Sequence, residues 1–179
     1  MVIIIVNKIL SVLTIGSGLF IVVGLIYFLL RKNKKDFILS FFVKNGVFFA
    51  FLVSFFAATG SFFYSEVAHF EPCSLCIIQR IFLFPQIALL LAVLITKNIR
   101  VLFYSLLLSL LGGITALYHI YISYGGKEIL PCSAGEVSCL ARYVFEFGFV
   151  TIPLMSLLTF FLIIFFLFLS RFQNTILRT

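Results

Sequence analysis

Charge is what this sequence has least of. Only 11% of its 179 residues are Asp, Glu, Lys or Arg, against 63% hydrophobic, and the mean hydropathy is +1.26. A soluble domain of this length cannot cover its surface with so few charges, so the chain reads as an integral membrane protein. Period-2 alternation of apolar and polar residues is also missing, and the apolar runs are too long for barrel strands, which excludes a membrane β-barrel. No small-residue cleavage pattern precedes the basic cluster Arg31-Lys32-Asn33-Lys34-Lys35, so the first apolar run is expected to be a retained span and not a signal peptide.

What the chain does have is five apolar stretches of about 20 residues, each long enough to cross a bilayer, at about 9–30, 46–65, 74–96, 101–122 and 147–169. The expected fold is all-α, with a four-helix transmembrane bundle core and one additional N-terminal transmembrane helix. Residues 37–43 are apolar but precede Lys44 and Asn45, so they are placed in the interface before the second span starts at about Gly46. The net charge of +7 would suggest nucleic acid in a soluble protein, but here its distribution reports topology. Basic residues gather between spans one and two, at Lys97 and Arg100, and at Arg171 and Arg178, which assigns those segments to the cytoplasm and the N-terminus to the opposite side.

No cysteine falls on the cytoplasmic side. Cys73 and Cys76 stand at the mouth of span three, and Cys132 and Cys139 in the last outer loop. An even number confined to the oxidising face of a membrane points to disulfide chemistry. Pro72 suits the first turn of a helix. With a helix starting there, Cys73, Cys76 and Arg80 share a stripe at i, i+3 and i+7, and the thiolate is expected at Cys76, near the positive end of the helix dipole. Arg80 adds a permanent charge about 6 Å deeper. A buried arginine costs about 2.5–3.5 kcal/mol on insertion scales, and such residues usually face a cavity or a ligand. Pro85 is expected to kink span three, and Gly112-Gly113 and Ala116 to let span four pack closely. His119 lies near the outer end of span four, at about the depth of Arg80.

Three readings of the cysteines stay open at this point: a zinc staple on all four, two inert disulfides in a membrane scaffold, and thiol–disulfide electron transfer to an acceptor in the membrane. The guanidinium facing the pair repels a dication, which weakens the first reading, and an inert staple leaves the buried arginine unexplained. The third accounts for both. A lipid quinone is the natural acceptor, since it takes two electrons as a dithiol gives them and gains negative charge that an arginine stabilises.

The segment Glu71-Pro72-Cys73-x-Leu75-Cys76-x-x-Gln79-Arg80 closely resembles the signature of the bacterial disulfide bond formation protein B family (DsbB, with its BdbC branch), and Pro131-Cys132 to Cys139 with Phe147-Gly148-Phe149-Val150-Thr151-Ile152-Pro153 is similar to that branch's second outer loop and last span. The resemblance covers roughly residues 46–169. It implies a thiol:quinone oxidoreductase of the bacterial cell (inner) membrane that reoxidises an extracytoplasmic thioredoxin-like thiol oxidase (DsbA/BdbD-like), drawing on the quinone pool (ubiquinone or menaquinone), with no metal and no nucleic acid partner. By that resemblance Cys132 forms the mixed disulfide with the partner, Cys73–Cys76 reoxidises the Cys132–Cys139 pair, and Cys76 gives electrons to the quinone beside Arg80, with Gln79 as a further contact; His119, from its depth in span four alone, is a further candidate to hydrogen-bond the acceptor's carbonyl. Two departures are the added first span and the short spacing between Cys132 and Cys139. The implied organisation is 1–36 for the added span and basic loop, 37–170 for the four-helix domain, and 171–179 for a cytoplasmic tail. The vitamin K epoxide reductase-like family also joins a CxxC to a loop pair and a quinone, but there the loop pair comes first in the chain.

Overall fold

The computed structural model describes residues 2–30, 37–127, 139 and 143–176. Cys132, Pro131, Glu136, Arg142 and the 31–36 basic cluster lie outside them. Among the described residues six α-helices run in chain order: α1 (Val2–Leu30), α2 (Phe37–Lys44), α3 (Gly46–Phe62), α4 (Ser74–Thr96), α5 (Ile99–Ser123) and α6 (Ile152–Ile176). A π-helical turn, Phe63–Val67, continues α3. Five helices are long and apolar enough to span a membrane, and α2 is the short exception. The chain is a multi-pass helical membrane protein.

Helices α3 to α6 form a closed four-membered bundle in which each packs on its sequence neighbour or, for α3 and α6, across the ring. Glycine permits the close approaches. A Cβ on Gly46 would come 2.6 Å from the Phe166 carbonyl oxygen, and one on Gly112 would collide with the Phe160 ring, the usual reason for small residues between membrane helices. Phe160 and Ile163 of α6 are buried between these neighbours with Ala50, Leu90 and Ala116. Polar bonds fix α4 to α5: the Gln86 amide donates to the Ser105 carbonyl at 3.0 Å and to Ser109 Oγ at 2.6 Å, and the Ser105 hydroxyl donates back to Gln86 Oε1. In hydrocarbon such bonds have no water to compete with them.

Outside the ring, α1 and α2 lean on α6. Phe20 of α1 meets Phe42, Phe165 and Phe166 at ring separations of 5.6–6.1 Å. At the other end of α1, Tyr64 Oη donates to Asn7 Oδ1 at 3.0 Å. Between these two clamps α1 stands off from α3.

Two expected span starts change. The first span begins at Val2, not 9, because Asn7 is buried and accepts a hydrogen bond from Tyr64. The last begins at Ile152, not 147. Residues 146–150 form a tight turn closed by Glu146 and Val150, with Phe147 at φ 53° and Gly148 at φ 78°, a left-handed pair that no helix continues. Pro85 lies inside α4, within the span where the sequence places it.

Candidate active site

The site is built at the end of the bundle where α3 exits and α4 begins. Helix α4 starts at Ser74, not Pro72, which makes Cys73 its N-cap, with extended φ/ψ of −69° and 168°. The shift of two residues moves the chemistry. Cys73 now sits at the helix end, and its sulfur shares a hydrogen bond with that of Cys76, 3.3 Å away. This thiol hydrogen bond, opposed by burial and reinforced by His119, lowers the Cys73 pKa to about 4. The contacts of the pair thus favour charge on Cys73, whereas the sequence pattern pointed to Cys76.

His119 of α5 is the second support. It is buried, with Nδ1 3.2 Å from Gln79 Nε2 and Nε2 3.7 Å from Cys73 Sγ. An amide nitrogen only donates, so Nδ1 accepts, and the proton of the neutral ring is on Nε2, facing the sulfur. Gln79 thereby selects the tautomer. Both residues serve the thiol in this geometry, and His119 does not line the larger cavity beyond Cys76.

Cys139 is buried and disulfide-bonded, and packs with Cys73, Leu75 and Ile122. Its Sγ, Cys73 Sγ and a His119 ring nitrogen all lie within 4.8 Å of one another. Three such groups have the spacing of metal ligands, but a sulfur held in a disulfide is not the thiolate that a metal takes. What the cluster does offer is a thiolate beside a disulfide sulfur, the arrangement for exchange.

Arg80 lies one turn below Cys76 on α4. Its guanidinium donates to the Ser61 carbonyl at 3.0 Å and to Ser65 Oγ at 2.5 Å, so it is held by neutral acceptors at the π-helical end of α3 and by no carboxylate among the described residues. Its charge remains available to a ligand. Arg80, Cys76 and Gln79 line one end of a cavity of about 910 Å³ that continues between α1, α3 and α6, past Leu13, Phe56 and Phe160, to Phe166. A second chamber, of about 50 Å³, lies over the thiols and is roofed by Tyr64, Phe70 and Tyr143. These three rings stack in series, at 5.7 Å and 10° and then 4.8 Å and 13°.

The chain's residues 44–170 match the family model described as "Disulfide bond formation protein DsbB". The chain belongs to this family. Among its relatives, the SPbeta prophage-derived disulfide bond formation protein B of Bacillus subtilis is 44% identical over 100 residues, covering 56% of this chain and 68% of that protein. Disulfide bond formation protein C of Bacillus subtilis is 36% identical over 111 residues, covering 60% and 79%. A probable disulfide formation protein of Chlamydia caviae is 37% identical over 123 residues, covering 68% and 88%. No solved structure matches the chain. As a DsbB-family protein it is a membrane oxidoreductase of disulfide bond formation. Helix α1 lies wholly before the matched residues.

The sequence did not announce Ser61, Ser65, Asn7 or the aromatic stack. Only Asn7 left a trace, as a polar residue near the start of an apolar run.

Proposed function

We propose that this chain reoxidises an extracytoplasmic thioredoxin-like thiol oxidase and passes the two electrons to a membrane quinone. The observation that supports this reading best is that Cys76 and Arg80 line the same apolar cavity, so the dithiol opens directly onto a place where a lipid-soluble acceptor can sit beside a cation. Residues 37–170 are the catalytic unit, 1–36 an added span with its basic loop, and 171–179 a tail. The basic helix ends face the cytoplasm and the cysteines the opposite side, as the positive-inside rule requires.

The cycle balances as two successive exchanges and one oxidation. A partner thiolate attacks Cys132 of the Cys132–Cys139 disulfide, Cys139 leaves as thiolate, and the partner's second thiol completes its own disulfide by displacing Cys132. Cys139 then attacks Cys73 of an oxidised Cys73–Cys76 pair and releases Cys76. Cys132 resolves the Cys73–Cys139 bridge, which restores the loop disulfide and leaves Cys73 and Cys76 reduced. Oxidation of that dithiol returns two electrons and two protons to the acceptor, giving a quinol and closing Cys73–Cys76 again. His119 and Gln79 hold the charge on Cys73 through the exchanges. Arg80 fixes the acceptor's polar oxygen near Cys76.

The test is anaerobic stopped-flow absorbance with a reduced thioredoxin-like partner and a soluble quinone. Wild type is expected to reduce the quinone and Cys76→Ser to reduce none. Arg80→Ala is expected to raise the quinone KM about tenfold or more, the loss of a charge-assisted hydrogen bond. A wild type that oxidises the partner but leaves the quinone untouched would overturn the assignment of the acceptor.

A further inference from the structure

Two groups of helical glycines among the described residues contrast. Gly24, Gly46 and Gly112 sit where a Cβ would press on Phe165, the Phe166 carbonyl or Phe160. Gly16 of α1 and Gly60 of α3 do the opposite: a Cβ on either would meet nothing within 4 Å, and both line the large cavity. Glycine within a helix costs about 1 kcal/mol relative to alanine, and here no close helix approach accounts for it. Open space is what these two positions keep.

That space has a polar end and an apolar end. Asn7 and Tyr64 bond at one level, which aligns α1 antiparallel to α3. Gly60 lies four residues from Tyr64, about 6 Å down the axis, near Arg80, whereas Gly16 lies nine residues from Asn7, about 13 Å down. Beyond Gly16 the lining is Phe20, Phe49 and Phe166. Leu13 and Phe56 line the cavity while 61% and 66% exposed, so it opens sideways toward lipid. The hydroxyls of Thr14 and Ser17 are turned onto their own helix carbonyls at 2.7 Å, which leaves that wall apolar.

We propose that α1 is the outer wall of a channel for the isoprenoid tail of the acceptor, with Gly16 keeping its deep end open and Gly60 its end beside Arg80. The inference rests on the acceptor reading above and adds a substrate-length specificity that α1, outside the matched family region, supplies. A headgroup held at Arg80 projects its tail down between α1 and α3, and the length accommodated is set by how far the channel runs past Gly16.

The full-length protein, wild type and Gly16→Leu, is assayed with two quinones that share one ring, one bearing a long isoprenoid tail and one without a tail. The ratio of the long-tailed KM to the tail-less KM is expected to rise about tenfold or more in Gly16→Leu, with kcat for the long-tailed quinone less affected than KM. A long-tailed quinone with a diazirine at the tail end is expected to label wild-type peptides containing residues 10–20. A ratio within twofold of wild type, or label confined to α4 and α5 or to phospholipid, overturns the channel. Wild type reducing neither quinone would instead sink the acceptor reading itself, so the two failures are distinct.

Discussion

His119 places its Nε2 3.7 Å from Cys73 Sγ while Gln79 occupies its Nδ1 at 3.2 Å, so one imidazole joins a polar side chain of α4 to the thiolate at that helix's own N-cap.

That relationship makes a pH profile the direct readout. The Cys73 pKa is lowered to about 4, chiefly by the Cys76 thiol and with His119 contributing. A lowered thiol pKa means the thiolate persists at and above neutral pH and is lost only as pH falls toward 4. Alkylation of the reduced wild-type protein by iodoacetamide, followed at Cys73 by peptide mass spectrometry, is therefore expected to be nearly flat from pH 6 to 8, on the order of a twofold change. In Cys76→Ala and in His119→Ala the rate should instead climb with pH across that range, and more steeply in Cys76→Ala, which removes the larger cause. A wild-type rate that rises roughly tenfold per pH unit would place the charge elsewhere.

The nearness of Cys73 and Cys139 sulfurs, within 4.8 Å, predicts a trapped bridge. In the double variant Cys76→Ala, Cys132→Ala these two are the remaining cysteines, and a disulfide needs only about 2–3 Å of closure to the bonded S–S length. Mild oxidation is expected to join them nearly quantitatively, seen as a linked peptide under non-reducing conditions. Dimers joined between chains in place of the internal bridge would contradict the juxtaposition.

The Asn7–Tyr64 bond carries a prediction about α1. Net hydrogen bonds contribute about 0.5–1.5 kcal/mol, and this one spans 57 residues between α1 and the π-helical turn. Asn7→Leu and Tyr64→Phe should each lower the thermal midpoint by a few degrees, and the double variant should fall no further than the more damaging single one. Additive losses would mean the two side chains act separately.

Much of the architecture was readable because hydrophobicity in a membrane protein is a length signal. Runs of about 20 apolar residues gave the five spans, and basic residues marked their shared ends. The errors have local causes. Phe147, Phe149 and Val150 are as apolar as the span they precede, so only the left-handed backbone at Phe147 and Gly148 separates turn from helix. The place of polar Asn7 inside the first span is explained only by Tyr64, 57 residues away, which bonds to it. The site was legible where its members are close in sequence: Cys73, Cys76, Gln79 and Arg80 share two turns. The contact of His119 with Cys73 crosses 46 residues, and the charge on Cys73 is favoured chiefly by its hydrogen bond with Cys76 and then by His119, contacts that spacing along the chain does not show.

The ring stack of Tyr64, Phe70 and Tyr143 ties the π-helical turn, the first outer loop and the second into one lid over the thiols. The chamber beneath it is small, at about 50 Å³, on the scale of one or two waters. A redox wire is only as good as its insulation. The stacked rings cover the Cys73–Cys76 couple on the side of the two loops, and under the function proposed above electrons enter at the loop disulfide and leave through the bilayer.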